Sequence, residues 1–220
     1  MRKEIVKVFS YEELSEEAKK CARDWYRSIL DRDFSFESQM ITENFEIILE
    51  KKGYPTEDIE WSLSYCQGDG VAFYGSIQDI DKVAKRLLSE ADYKLFNLIF
   101  NDHGLYIDCE IFRNSYGYHY SHYNTMEIEL DHEDIDTIVY EVYGLEEHEE
   151  GYENKYIDIE NLLDTLEEAI KDDIKEVSKQ LEKLGYKEIE YYYEAVEEAL
   201  ITNEYEFLEN GKRYQKGIDF

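Results

Sequence analysis

Ile59-Glu60-Trp61-Ser62-Leu63-Ser64-Tyr65-Cys66, then Gln67-Gly68-Asp69-Gly70, then Val71-Ala72-Phe73-Tyr74-Gly75 is the passage that decides the fold class. In its first eight residues Ile59, Trp61, Leu63 and Tyr65 point one way and Glu60, Ser62, Ser64 and Cys66 the other, the period-2 signature of a half-buried strand. Val71, Phe73, Gly75 and Ile77 supply a return strand. Between them Gly68, Asp69 and Gly70 read as a structural turn, with glycine at positive φ. A phosphate loop is excluded. The spacing is neither G-x-x-x-x-G-K-[ST] nor G-x-G-x-x-G, and a strand follows where a helix would be needed.

Working outward, the same alternation recurs in Leu105, Ile107, Cys109 and Ile111, and in Tyr120, His122, Met126, Ile128 and Leu130, with Asn114-Ser115-Tyr116-Gly117 as the turn between them. Strands are therefore expected at 57–66, 71–77, 104–113 and 118–130, forming a mostly antiparallel sheet of about four strands packed with several helices. Ser10-Tyr11-Glu12-Glu13 is a capping box, with Phe9 and Leu14 as its hydrophobic staple. The helix it opens places Leu14, Ala18, Cys21, Trp25 and Ile29 on one face. A second helix runs from about Ser35 to Lys52, and a third from about Asp79 to Phe100. A short one lies near Asp134–Tyr143. A long C-terminal helix runs from Asp158 to Leu184, ended by Gly185, with Ile159, Leu163, Leu166, Ile170, Ile174, Val177, Leu181 and Leu184 as its stripe. A last helix spans Tyr191 to Asn203, and Tyr205–Glu209 with Lys212–Gln215 forms a small hairpin. With one Pro and no Gly/Ser-rich linker, residues 1–220 read as a single α+β domain.

The charge is out of the ordinary. The 220 residues carry a formal net charge of −29, against a magnitude of ~2–8 for a typical small domain surface. Glu127 to Glu168 alone holds seventeen Asp or Glu against one Lys, a net −16. Ile128, Leu130, Ile135, Ile138, Val139 and Val142 are interleaved with these acids, so the segment is mounted on folded structure rather than trailing as a disordered tail. A folded surface of one sign loses stability to self-repulsion, which points to solubility or to a cationic partner. It argues against direct binding of nucleic acid. The densest stretch without a Lys or Arg contains Asp131, Glu133, Asp134, Asp136, Glu141, Glu146, Glu147, Glu149 and Glu150. These nine are the candidate partner-binding residues.

Nothing else in the chain competes as chemistry. Cys21, Cys66 and Cys109 have no zinc or disulfide spacing. His119 and His122, three apart on a strand, would face opposite sides and not share an ion. Counted from Asp131, the EF-hand positions 6 and 12 fall on Asp136 and Val142, so that motif fails. No nucleophile motif is present. The expectation is a non-enzyme with no cofactor and no metal site. With no signal-like start and no apolar run of ~18 residues it should be cytoplasmic, with no membrane contact. The long-helix stripe reads as core, and its heptad-like spacing also allows a homodimer seam.

Several passages resemble a widespread group of acidic phage and prophage proteins. The likeness lies in Phe9-Ser10-Tyr11-Glu12-Glu13-Leu14-Ser15, Ala22-Arg23-Asp24-Trp25-Tyr26-Arg27, the Trp61-Ser62-Leu63-Ser64 and Gln67-Gly68-Asp69-Gly70 motif with Val71-Ala72-Phe73-Tyr74-Gly75, Glu194-Ala195-Val196-Glu197-Glu198-Ala199-Leu200, and Gly211-Lys212-Arg213-Tyr214. Some members carry an antitoxin-like label. The resemblance implies a phage-borne accessory protein and brings no catalytic residues. Joined to the charge, it sets the functional expectation: an inhibitor of a host defence nuclease, of anti-CRISPR or anti-restriction type. It would act as an acidic nucleic-acid mimic on a basic, nucleic-acid-binding protein. The alternatives are an antitoxin-like binder of a basic partner and an acidic interaction protein without mimicry.

Overall fold

The computed structural model describes residues 6–30, 34–64, 66–114 and 120–215. The architecture is α+β. Helices α1 (Glu16–Leu30) and α2 (Phe34–Lys52) precede strands β1 (Asp58–Ser62) and β2 (Gly70–Ser76). Then come α3 (Ile80–Leu87), α4 (Glu90–Phe96), β3 (Ile107–Arg113), β4 (Met126–His132), α5 (Ile135–Tyr143) and α6 (Tyr152–Thr202). The four strands form one sheet in the order β1-β2-β3-β4, every neighbour antiparallel. The chain divides into two compact units, Thr42–Leu184 and the remainder on either side of it.

In the larger unit one face of the sheet meets the helices. Val71 and Phe73 of β2, Cys109 and Ile111 of β3, and Ile128 of β4 share that face by register and are buried. Ile159, Leu163, Leu166, Ile170, Ile174, Val177 and Leu181 of α6 are all buried too. The stripe is therefore core within one chain, each side chain worth about 1.5–3 kcal/mol of apolar burial. Phe45 of α2 meets Trp61 edge-on at 6.3 Å, and Tyr54 packs on Phe73 at 5.5 Å. The Tyr54 hydroxyl donates to Asp173 at 2.6 Å, and Arg86 pairs with the same carboxylate at 2.8 Å. Buried Ser178 donates its hydroxyl to the Val71 carbonyl, tying α6 to β2.

The smaller unit is built on Tyr11, Leu14, Ala18, Ala22, Val196, Leu200 and Phe207, with Phe9 packed against them. Half of the capping box forms, on a 3-10 turn, Tyr11–Glu13, ahead of α1: the Ser10 amide donates to the Glu13 carboxylate at 2.9 Å, while the Glu13 amide donates to the Ser10 carbonyl. The Tyr11 hydroxyl donates to Glu197 at 3.0 Å, and Arg23 pairs with Glu197 at 2.6 Å. Phe207 bridges Phe9 on one side and Arg213 on the other. Thus the small hairpin exists as single bridges rather than strands. Gly211 lies at φ +81°, and a Cβ there would stand 2.0 Å from the Ala18 carbonyl oxygen.

Several boundaries differ from the sequence reading. α6 starts at Tyr152, so Asp158 lies inside it instead of capping it, and the strand expected from 104 starts at Ile107. β1 ends at Ser62, because from Ser64 the backbone turns to bond the Asp69 carboxylate instead of a neighbouring strand. The expected 79–100 helix is two, because Ser89 caps a fresh start by accepting from the Asp92 amide, and residues 97–102 finish as a π turn. The expected 118–130 strand begins at Met126. Its residues 118 and 119, the 115–117 part of the preceding turn, and His119 lie outside the described residues, and Tyr123–Thr125 is a 3-10 turn capped by His122. Gly185 does not stop α6, which absorbs the separate helix expected at Tyr191–Asn203. No Pro follows Gly185, and the apolar spacing carries on through Val196 and Leu200, both buried. That burial outweighs the ~1 kcal/mol that an interior glycine costs.

Candidate functional site: a carboxylate face on the sheet

The solvent face of β3 and β4 follows from register. Asp108 stands opposite Asp131, Glu110 opposite Glu129, and Phe112 opposite Glu127. The pairing continues one step past the strands, where the Glu133 amide donates to the Tyr106 carbonyl at 3.0 Å. Alternation puts all of these side chains on the face away from Cys109, Ile111 and Ile128. Six carboxylates, Asp108, Glu110, Glu127, Glu129, Asp131 and Glu133, thereby share one ladder. Glu110, Glu127, Glu129 and Asp131 are exposed, and Asp108 and Glu133 are half-exposed. Among the described residues, no Lys, Arg or His forms an ion pair with any of the six. Tyr106, 51% exposed, stands at one end of the face. Its phenol is pushed up, first by partial desolvation and then by Asp131 and Asp108.

Further along the sheet the charge is compensated. Arg113 pairs with Glu60 and lies 5.0 Å over the Tyr74 ring, while Ser121 donates to Glu60 at 3.1 Å. The carboxylate face is thus a property of β3 and β4.

The nine sequence candidates divide. Asp131 and Glu133 belong to the face. Asp134 is the N-cap of α5, accepting from the Asp136 amide at 3.0 Å. Asp136 accepts from the Tyr152 hydroxyl, a bond that raises that phenol. Glu149 closes its own loop by accepting from the Glu146 amide at 2.8 Å. Glu141, Glu146, Glu147 and Glu150 are exposed on α5 or on the loop after it. Asp108, Glu110, Glu127 and Glu129 lie outside those nine. Their signal was the spacing Glu127-x-Glu129-x-Asp131-x-Glu133 set against Asp108-x-Glu110, with acids on the polar phase of two adjacent strands.

The Gly68-Asp69-Gly70 turn does not have the positive φ expected of its glycines. Neither Gly68 nor Gly70 is among the glycines at positive φ. A Cβ on Gly70 would lie 2.8 Å from the Ser121 carbonyl oxygen and 3.1 Å from the His122 Cα. On Gly68 it would lie 2.3 Å from the Tyr120 ring. Residues 120–122 pass close over both glycines, with backbone against Gly70 and the Tyr120 side chain against Gly68. Asp69 is buried and knits the turn, accepting from the Ser64 amide at 2.7 Å, the Cys66 amide at 2.8 Å and the Ser62 and Ser64 hydroxyls. His122 holds the crossing segment, its Nδ1 accepting from the Asn124 amide at 3.2 Å. Burial lowers this imidazole below its ordinary range, with Glu182 opposing and Lys179 assisting.

Among the described residues no helix is long and apolar enough to cross a membrane. No curated protein and no solved structure matches the chain. A family model does match, over residues 25–198, and the chain belongs to that family, Domain of unknown function (DUF8835).

Proposed function

We propose that this protein is a phage-borne, non-enzymatic inhibitor that acts in the host cytoplasm. It occupies the basic channel of a nucleic-acid-handling defence enzyme as an acidic mimic of the nucleic acid. The observation that carries the reading is the linear charge density of the β3–β4 face. From Glu127 to Glu133 the strand advances about 20 Å at ~3.4 Å per residue, and six carboxylates line that length. The mean is one charge per ~3.4 Å, the value for a single nucleic-acid strand. The paired sheet backbone fixes the points from which the carboxylates project before the partner arrives, which removes the backbone share of the ordering cost of binding. Asp134 to Glu150 adds negative field that steers a cationic partner toward the face.

The test is capture from a bacterial lysate on immobilised wild-type protein, beside a variant carrying Glu110→Lys, Glu127→Lys, Glu129→Lys and Asp131→Lys. The reading expects a basic nucleic-acid-binding protein on the wild type alone, released by added DNA or RNA. A retained partner that ignores both the reversals and the competitor overturns it. A basic toxin, retained through these carboxylates but not displaced by nucleic acid, would instead favour the antitoxin-like reading.

A further inference from the structure

The hydrogen-bond phase of the β3–β4 ladder says what the far side of β4 offers. Asn114 donates its amide to the Thr125 carbonyl at 2.9 Å, and Glu133 donates to the Tyr106 carbonyl at 3.0 Å. Both contacts fall on the same register as the strand pair itself. In an antiparallel ladder, residues that exchange both bonds alternate with residues that exchange none. Glu127, Glu129 and Asp131 therefore spend their backbone groups on β3. Ile128, Leu130 and His132 turn theirs outward, and β4 is the last strand in the sheet order. By that phase their amides take no part in the pairing with β3. The molecule thus carries a strand edge with three donors that the β3 pairing leaves unused, running beside the carboxylate face.

We infer that this edge takes up one extended, cationic segment of the partner as a fifth strand. This rests on the functional reading above and gives its mode of contact. A strand added to β4 would form hydrogen-bonded pairs with Ile128, Leu130 and His132. Its intervening residues would then sit in close, non-hydrogen-bonded pairs with Glu127, Glu129 and Asp131, where side chains approach most nearly. Lys or Arg at every second position matches that row. The charge also excludes the commonest competitor. Two copies of this chain pairing β4 to β4 would set their carboxylate rows against each other, and like charges across a ladder are destabilising. The same residues that admit a cationic strand keep the edge from pairing with itself.

The probe is a capped peptide, Thr-Lys-Val-Lys-Val-Lys-Thr, against a control of equal composition with its three Lys contiguous. Amide hydrogen exchange on the full chain reads the result. The alternating peptide should slow exchange of the Ile128, Leu130 and His132 amides about tenfold at saturation. It should lose roughly fivefold to tenfold in affinity against Leu130→Pro, the effect of one hydrogen bond. Proline suits an edge strand where its missing donor faced outward, and continued protection of the Glu129 and Asp131 amides shows that the variant is folded. His132→Pro gives the same readout should Leu130→Pro fail to fold. If both peptides bind alike at low salt and the three amides keep exchanging, the edge proposal falls while the electrostatic reading stands. If neither peptide binds, both fall. If the unliganded protein already protects these amides with rising concentration, the edge belongs to a second copy and the proposal is overturned.

Discussion

Glu110 and Glu129 stand directly opposite each other in the β3–β4 ladder, and Asp108 and Asp131 repeat the arrangement one step along. Like charges directly opposite destabilise a sheet, and no described cation pairs with any of the four. The face is therefore one that stability by itself would not select.

The first prediction follows from that pair. Glu129→Lys places a cation opposite Glu110 and should stabilise the protein by about 0.2–1 kcal/mol at low salt. The gain should shrink in 1 M salt, where the screening length is only about 3 Å. Urea midpoints at the two ionic strengths read it. A loss of stability at low salt would mean that the two carboxylates do not repel.

The turn glycines should behave unequally. Gly70→Ala drives a Cβ into the backbone at Ser121 and His122, which cannot yield without moving the segment, and should cost roughly 1–3 kcal/mol. Gly68→Ala meets the ring of Tyr120, a side chain 56% exposed and free to swing away. Pairing it with Tyr120→Ala should restore wild-type melting. The same partner change should do nothing for Gly70→Ala.

The strands, the α5 helix and the apolar stripe of α6 were legible because a single local period carries each of them. The break at Ser89 was not. Leu87, Ala91 and Leu95 keep a helical spacing across it, and that spacing hid the Ser89–Asp92 cap. Gly185 misled for the opposite reason: a strong local stop signal lost to the burial of Val196 and Leu200. The site was half legible. A count along the chain finds Asp131 to Glu150, but Asp108 and Glu110 join the face only through strand register, about twenty residues away in sequence. The crossing of residues 120–122 over Gly68 and Gly70 is a tertiary contact with no local signature.

His122 sets a pH dependence. Its ring accepts a hydrogen bond at Nδ1 and is held below its ordinary range by burial, so the unfolded chain takes up the proton first as pH falls. The stability tied to the neutral ring is fully present above the unfolded value of about 6.5, and is lost as pH falls through the lower folded value. His122→Asn keeps an acceptor at the same position without titrating there. Its melting temperature should vary less than that of the wild type between about pH 7.5 and pH 5. Equal slopes would remove the assignment.

Ile174→Asp tests the stripe. Ile174 is 1% exposed, and an unpaired buried carboxylate there should cost several kcal/mol, enough to unfold most of the chain. Circular dichroism and light scattering read it together. A soluble, fully folded monomer derived from a wild-type dimer would instead make the stripe a subunit seam.

If the β3–β4 face takes the place of a nucleic acid, the two compete for the captured partner: the partner is loaded with labelled nucleic acid, the protein is titrated in, and release of the label is followed by fluorescence anisotropy. Wild type should displace the label stoichiometrically. The variant with Glu110, Glu127, Glu129 and Asp131 all changed to Lys should fail to do so while melting no lower than wild type. Simultaneous binding of the protein and the nucleic acid, or undiminished potency of that variant, would contradict the account.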